Sequence, residues 1–149
     1  MIDLDMRVDE EGWAQAFPNL EAICLKALNA GADAGGIAGE VSLLLTNNEA
    51  IQILNRDWRG KDKATDVLSF PADEMDRPLL GDIAIALQTC QHDADEKSIP
   101  LDQHLSHLLI HGYLHLIGHD HMEDTEAVKM EALEVTALAS LGWPDPYTY

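Results

Sequence analysis

Six of the seven histidines in this 149-residue chain fall between His104 and His121. The stretch reads H-L-S-H-L-L-I-H-G-Y-L-H-L-I-G-H-D-H. Residues four apart share one face of a helix, with Cβ atoms about 5–6 Å apart. His111 and His115 therefore aim two imidazoles at one point, where a zinc ion needs nitrogens about 2.0–2.1 Å away. A straight helix cannot bring a third nitrogen from His121, because ten residues at about 1.5 Å each carry it about 15 Å along the axis. Gly118 is where the helix can end, since glycine accepts the left-handed conformation that closes a helix. The chain then folds back and His121 reaches the ion. His119, directly after Gly118, is a rival for this place with less chain in which to turn. His104 and His107 continue the same face one or two turns earlier, on the wrong side of the turn, and are assigned to packing or to supporting the ligands.

One histidine on an apolar helix face is usually a core residue. Three at this spacing, with a helix-breaking glycine between the second and third, read as a metal site. Three neutral imidazoles on one zinc ion leave a fourth position open, which is the catalytic arrangement. Water bound there is acidified toward a pKa of about 7 and becomes a nucleophile at neutral pH. The spacing matches the metallopeptidase pattern H-E-x-x-H-x-x-G-x-x-H, except that Gly112 stands where the peptidases keep a glutamate base. Without that carboxylate a peptidase lacks its proton acceptor, which points to a reaction that depends less on a positioned base.

A second group of residues suits an anionic substrate. Arg56, Arg59, Lys61 and Lys63 place four of the nine basic residues within eight positions, in a chain whose formal net charge is −18. Arginine offers a planar fork to phosphate oxygens and lysine a point charge, while Trp58 can stack on a base. Asp57, Asp62 and Asp66 are interleaved, so by itself the island reads as a solvated loop. With a metal centre in the same chain, Arg59 becomes a candidate catalytic residue beside His111. The overall acidity argues against a protein that coats nucleic acid or anionic membrane through bulk attraction.

These residues need elements to hold them. Ile2–Val8 alternates apolar and polar residues and predicts a half-buried strand. Trp13–Ala30 has apolar residues three and four apart and predicts one amphipathic helix. Val41–Leu45, Val67–Phe70 and Gly81–Leu87 predict three more strands, with a helix between the first two of these capped by Asn47 or Asn48. Helices follow at roughly Thr89–Lys97, Leu101–Gly118 and Asp124–Leu141. The sum is an α/β (α+β) fold: one domain over 1–149, a mixed four-stranded sheet and about five helices, with the metal-binding helix ending at Gly118.

The two motif regions together resemble the YbeY family of bacterial metal-dependent endoribonucleases, the rRNA maturation factors. The family signature H-G-x-L-H-L-x-G-[Y/H]-D-H is met from His111 to His121. A second, L-N-x-x-[Y/W]-R-x-x-D-x-x-T-[D/N]-V-L-S-F-P, is met from Leu54 to Pro71, and L-G-D-I-x-I from Leu80 to Ile85. His119 stands where tyrosine is common in the family, and Ala64 where proline is. The resemblance implies that His111, His115 and His121 bind one zinc ion per chain and that Arg59 engages RNA. It implies a small sandwich with the metal helix packed on a mixed sheet. The implied task is processing the 3′ end of 16S rRNA, with removal of defective ribosomes. Single-stranded rRNA, the small ribosomal subunit and its assembly factors would be the partners.

The competing readings are a zinc-stabilised ribosome-assembly factor that binds without cutting, and a metzincin-like peptidase, which Gly112 disfavours. No apolar run approaches the roughly 18–20 residues of a membrane span, and the opening MIDLDMRVDEEGW has no basic or apolar leader region. Cys24 and Cys90 are too few for a disulfide scaffold. The expectation is a cytoplasmic protein with two reduced thiols and no membrane partner.

Overall fold

The computed structural model describes residues 1–120 and 122–147. Its strands are β1 (Ile2–Val8), β2 (Gly39–Thr46), β3 (Val67–Pro71) and β4 (Leu79–Ala86). They form one sheet in the order β1-β2-β4-β3. The first three neighbours run parallel, and β3 closes the edge antiparallel to β4.

The period-two pattern of the central strands feeds two apolar layers. Val41, Leu43 and Leu45 of β2 join Ile83 and Ile85 of β4 in the main core. That core is covered by α2 (Leu20–Asp33), α4 (Leu87–Lys97), α5 (Leu101–Leu116) and α6 (Asp124–Ser140). Leu44, Ala84 and Ala86 face the other way, under Ile51 and Leu54 of α3 (Asn48–Arg59). Asn47 caps α3 by accepting the Ala50 N–H at 2.9 Å, and Gly60 closes it at φ +71°.

The structure departs from the expected helix over Trp13–Ala30. It is two helices, α1 (Glu11–Ala16) and α2, so the described residues hold six α-helices where the pattern suggested about five. The cause is Pro18, which disfavours helical backbone at the residue before it. Phe17 accordingly lies extended, at φ −138° and ψ 113°. Among the described residues no helix is long and apolar enough to cross a membrane.

The histidine helix α5 runs through the middle of the main layer, with Leu105, Leu109, Ile110, Tyr113 and Leu114 buried. The Tyr113 hydroxyl donates to the Ile37 carbonyl at 2.6 Å and accepts the Ile37 N–H at 2.7 Å, tying the helix to the chain ahead of β2. The helix ends at Leu116. Gly118 then takes φ +102°, its N–H bonds the His115 carbonyl at 3.1 Å, and the His119 N–H bonds Leu114 at 3.0 Å. The helix end expected at Gly118 is thus built from backbone hydrogen bonds.

Candidate active site

The four histidines of α5 stand in a row. Ring centroids are 6.4 Å apart from His104 to His107, 6.5 Å from His107 to His111, and 4.7 Å from His111 to His115. The last pair is turned inward, with Nε2 of His111 3.2 Å from Nε2 of His115. Two nitrogens about 2.1 Å from a tetrahedral ion lie about 3.4 Å apart, so this pair fits two of a metal's ligands. His121 lies outside the described residues.

One carboxylate that sequence reasoning missed organises this row. Glu134 of α6 is 1% exposed. It accepts hydrogen bonds from Nε2 of His107 at 2.5 Å, Nδ1 of His111 at 3.3 Å and the Tyr147 hydroxyl at 2.7 Å. Burial by itself would raise its pKa, but the bonds from His107, His111 and Tyr147 outweigh burial and hold it down at about 2. A carboxylate on Nδ1 fixes the ring and leaves Nε2 to face the ion, the usual outer support of a metal-bound histidine. Glu134 lies 23 residues from His111. Its only sequence signal is an acidic residue on the otherwise apolar face of α6.

Gly112 explains the missing glutamate. A Cβ there would lie 3.1 Å from Ser69 Oγ and 3.3 Å from the Ile83 side chain. Position 112 faces the sheet, not the histidine row, so a glutamate would be forced into β3 and β4. Ser69 Oγ donates to the Gly112 carbonyl at 3.2 Å across this close contact.

Arg59 is not a loop residue, as the charged island suggested. It is the last residue of α3, its Nη2 donates to the Ser69 carbonyl, and its guanidinium lies 5.5 Å from the Phe70 ring centroid. Ser69 therefore joins Arg59 to the helix that carries His111. Arg56 sits one turn earlier and pairs with Asp57 at 3.0 Å. Arg59, Lys61 and Lys63 share a polar cleft of about 430 Å³ with Asn55, Thr65 and Leu68. Trp58 is 72% exposed and meets Phe70 edge-on at 6.3 Å. The larger groove, about 540 Å³, lies on the sheet face beside α3, between Arg7, Trp58 and Asp82, and contains none of the histidines.

Among the described residues, two groups of three side chains have donor atoms within 4.8 Å of one another and can hold a metal ion. They are Asp66, Asp93 and His104, and the exposed set His92, Asp93 and Glu96. The first draws on three separate segments, so no sequence spacing shows it, whereas the second lies on α4 alone, with His92 and Glu96 four residues apart.

A mixed sheet carrying an inward-facing histidine pair, backed by a buried carboxylate, defines an α/β protein with a candidate metal site. The family model for Endoribonuclease YbeY matches residues 3–142, and the chain belongs to that family. It is 51% identical to Endoribonuclease YbeY of Rhodopseudomonas palustris (strain BisB18), over 89% of this chain and 85% of that protein. It is 45% identical to the protein of the same name from Paramagnetospirillum magneticum (strain ATCC 700264 / AMB-1), over 98% and 96%. A solution structure of a Thermotoga maritima protein matches over the whole of both chains, with a TM-score of 0.59 and 26% identity.

Proposed function

We propose that residues 1–149 form one metal-dependent endoribonuclease domain that cuts single-stranded rRNA. The reading places it in the cytoplasm, acting on the 3′ end of 16S rRNA and in ribosome quality control, with the small subunit and its assembly factors as partners and no membrane. His111, His115 and His121 would hold one zinc ion, and the chemistry such an ion would supply is acidification of water and charge stabilisation at a phosphoryl group. Glu134 orients His111 for that task. Arg59 neutralises charge that grows on the phosphoryl group, while Arg56, Lys61 and Lys63 attract the strand. The observation that carries this reading is the link through Ser69, which ties Arg59, the last residue of α3, to the helix bearing the inward-facing histidine pair.

The position of Gly112 against the sheet speaks against a peptidase, which needs a carboxylate beside its first ligand. The test is cleavage of single-stranded RNA by metal-assayed protein beside a His111→Ala variant of equal purity. Cleavage by the first, abolished by chelation and absent in the variant, is expected. Equal cleavage by both would identify a contaminating ribonuclease and leave a non-catalytic assembly factor.

A further inference from the structure

Away from the His111–His115 pair, α5 carries another histidine that its surroundings leave incomplete. His104 is 2% exposed, and neither of its ring nitrogens has a hydrogen-bond partner. Buried polar atoms without partners are rare in folded proteins, and each calls for an explanation. The nearest carboxylate oxygen is Oδ2 of Asp93, on α4, 4.0 Å from Nε2. That is beyond a hydrogen bond. It lies between the spacings of adjacent and opposite donors around an ion with bonds of about 2.1 Å, about 3.0 and 4.2 Å in an octahedral shell.

Asp66 completes the group, with its donor atom within 4.8 Å of the other two. Its Oδ1 accepts the Val67 N–H at 2.7 Å and its carbonyl accepts the Ala86 N–H at 3.0 Å, so the residue is pinned where β3 begins and β4 ends. The two acidic groups lie close enough that Asp93, partly buried, has a raised pKa, first from burial and then from the charge of Asp66. Burial and the nearby Lys97 hold the His104 imidazole neutral, and the two carboxylates outweigh the one lysine charge, so the pocket keeps a net negative charge that suits a cation.

We propose that Asp66, Asp93 and His104 form a second divalent-cation site, separate from the histidine pair at His111 and His115. Two carboxylates suit Mn2+ and the imidazole suits Zn2+, so the mixed set fits a divalent first-row transition metal. The ion would clamp the end of the 60–66 segment, which carries Lys61 and Lys63, against α4 and α5. Its role is to set the basic cleft, not to take part in the chemistry at His111.

Mn2+ added to protein carrying one zinc ion per chain, with excess zinc removed, is the probe, followed by loss of the free-ion electron paramagnetic resonance signal. One saturable Mn2+ per chain is expected. Asp93→Asn and His104→Gln should each weaken it by about tenfold or more, since loss of even a partner that only supports a ligand costs about 10–100-fold, with zinc content unchanged. Asp93→Asn conserves shape, so it keeps the test open if His104→Gln folds poorly. Glu96→Gln separates this site from the exposed His92–Asp93–Glu96 set and should leave binding intact. No saturable uptake, uptake indifferent to Asp93→Asn, or uptake lost in Glu96→Gln but kept in His104→Gln would each overturn the proposal.

Discussion

The Glu134 carboxylate stands 3.3 Å from Nδ1 of His111, on the ring edge away from the nitrogen that faces His115. This one contact chooses which nitrogen His111 presents to an ion. Glu134→Gln keeps the shape and removes the charge, so zinc affinity should fall by about 10–100-fold, the usual loss when such a support is removed. Competition with a chromophoric chelator measures it. Unchanged affinity would make Glu134 a structural residue only.

Replacing His111, His115 or His121 with alanine should reduce bound zinc from one ion per chain to a small fraction. A tetrahedral site that loses one of three protein ligands is left with two and fills the gap with water. Elemental analysis of the purified variants decides it. Full occupancy in His121→Ala would transfer the third place to His119 or elsewhere.

Arg59→Glu should abolish RNA cleavage while zinc stays bound. The structure changes what else it should do. Arg59 gives up a hydrogen bond to Ser69 and its place over Phe70, so a loss of about 1–2 kcal/mol of stability is expected. A freely solvated site would lose about 0.5 kcal/mol or less. Urea unfolding with parallel zinc analysis separates the two. Loss of zinc would assign Arg59 to the scaffold.

No carboxylate stands beside His111 at position 112 to act as a base, and the scissile phosphodiester can be attacked by water or by the neighbouring 2′-hydroxyl. Attack by water is expected. RNA with a single 2′-deoxy residue at the cut site should then be cleaved at about the normal rate. Its fragments should carry only a simple phosphate and a hydroxyl. A 2′,3′-cyclic phosphate in the mass spectrum, with protection by the deoxy residue, would sink this route.

Both cysteines should be silent toward thiol reagents in the native protein. Cys24 is pushed up to about 12 by burial and then by Glu21, and Cys90 to about 12 by burial and then by Asp66 and Asp93. The thiolate is the reactive form, and at pH 8 it is a minute fraction of a group with that pKa. Titration with Ellman's reagent should find no thiol in the folded protein and two per chain in denaturant. Rapid reaction of the native protein would place a thiol at the surface.

By itself the sequence determined the elements and the family. Four strands, the helix carrying His111 and His115, and its end near Gly118 follow from local rules: alternation, a four-residue spacing and one residue able to take a positive φ. The motifs from Leu54 to Pro71 and from His111 to His121 pointed to the YbeY family on types and spacing alone. Even the one misread helix had its local cause in Pro18, acting through Phe17. Only the tertiary structure decided what those elements bring together. Glu134 meets His111 across 23 residues, Ser69 meets Gly112 across 43, and Asp66, Asp93 and His104 converge from three elements. Arg59 changed from a loop charge to an exposed helix end held against β3. Such contacts depend on how helices pack across a sheet, and packing is set by the summed burial of many side chains, so no short stretch of sequence encodes it.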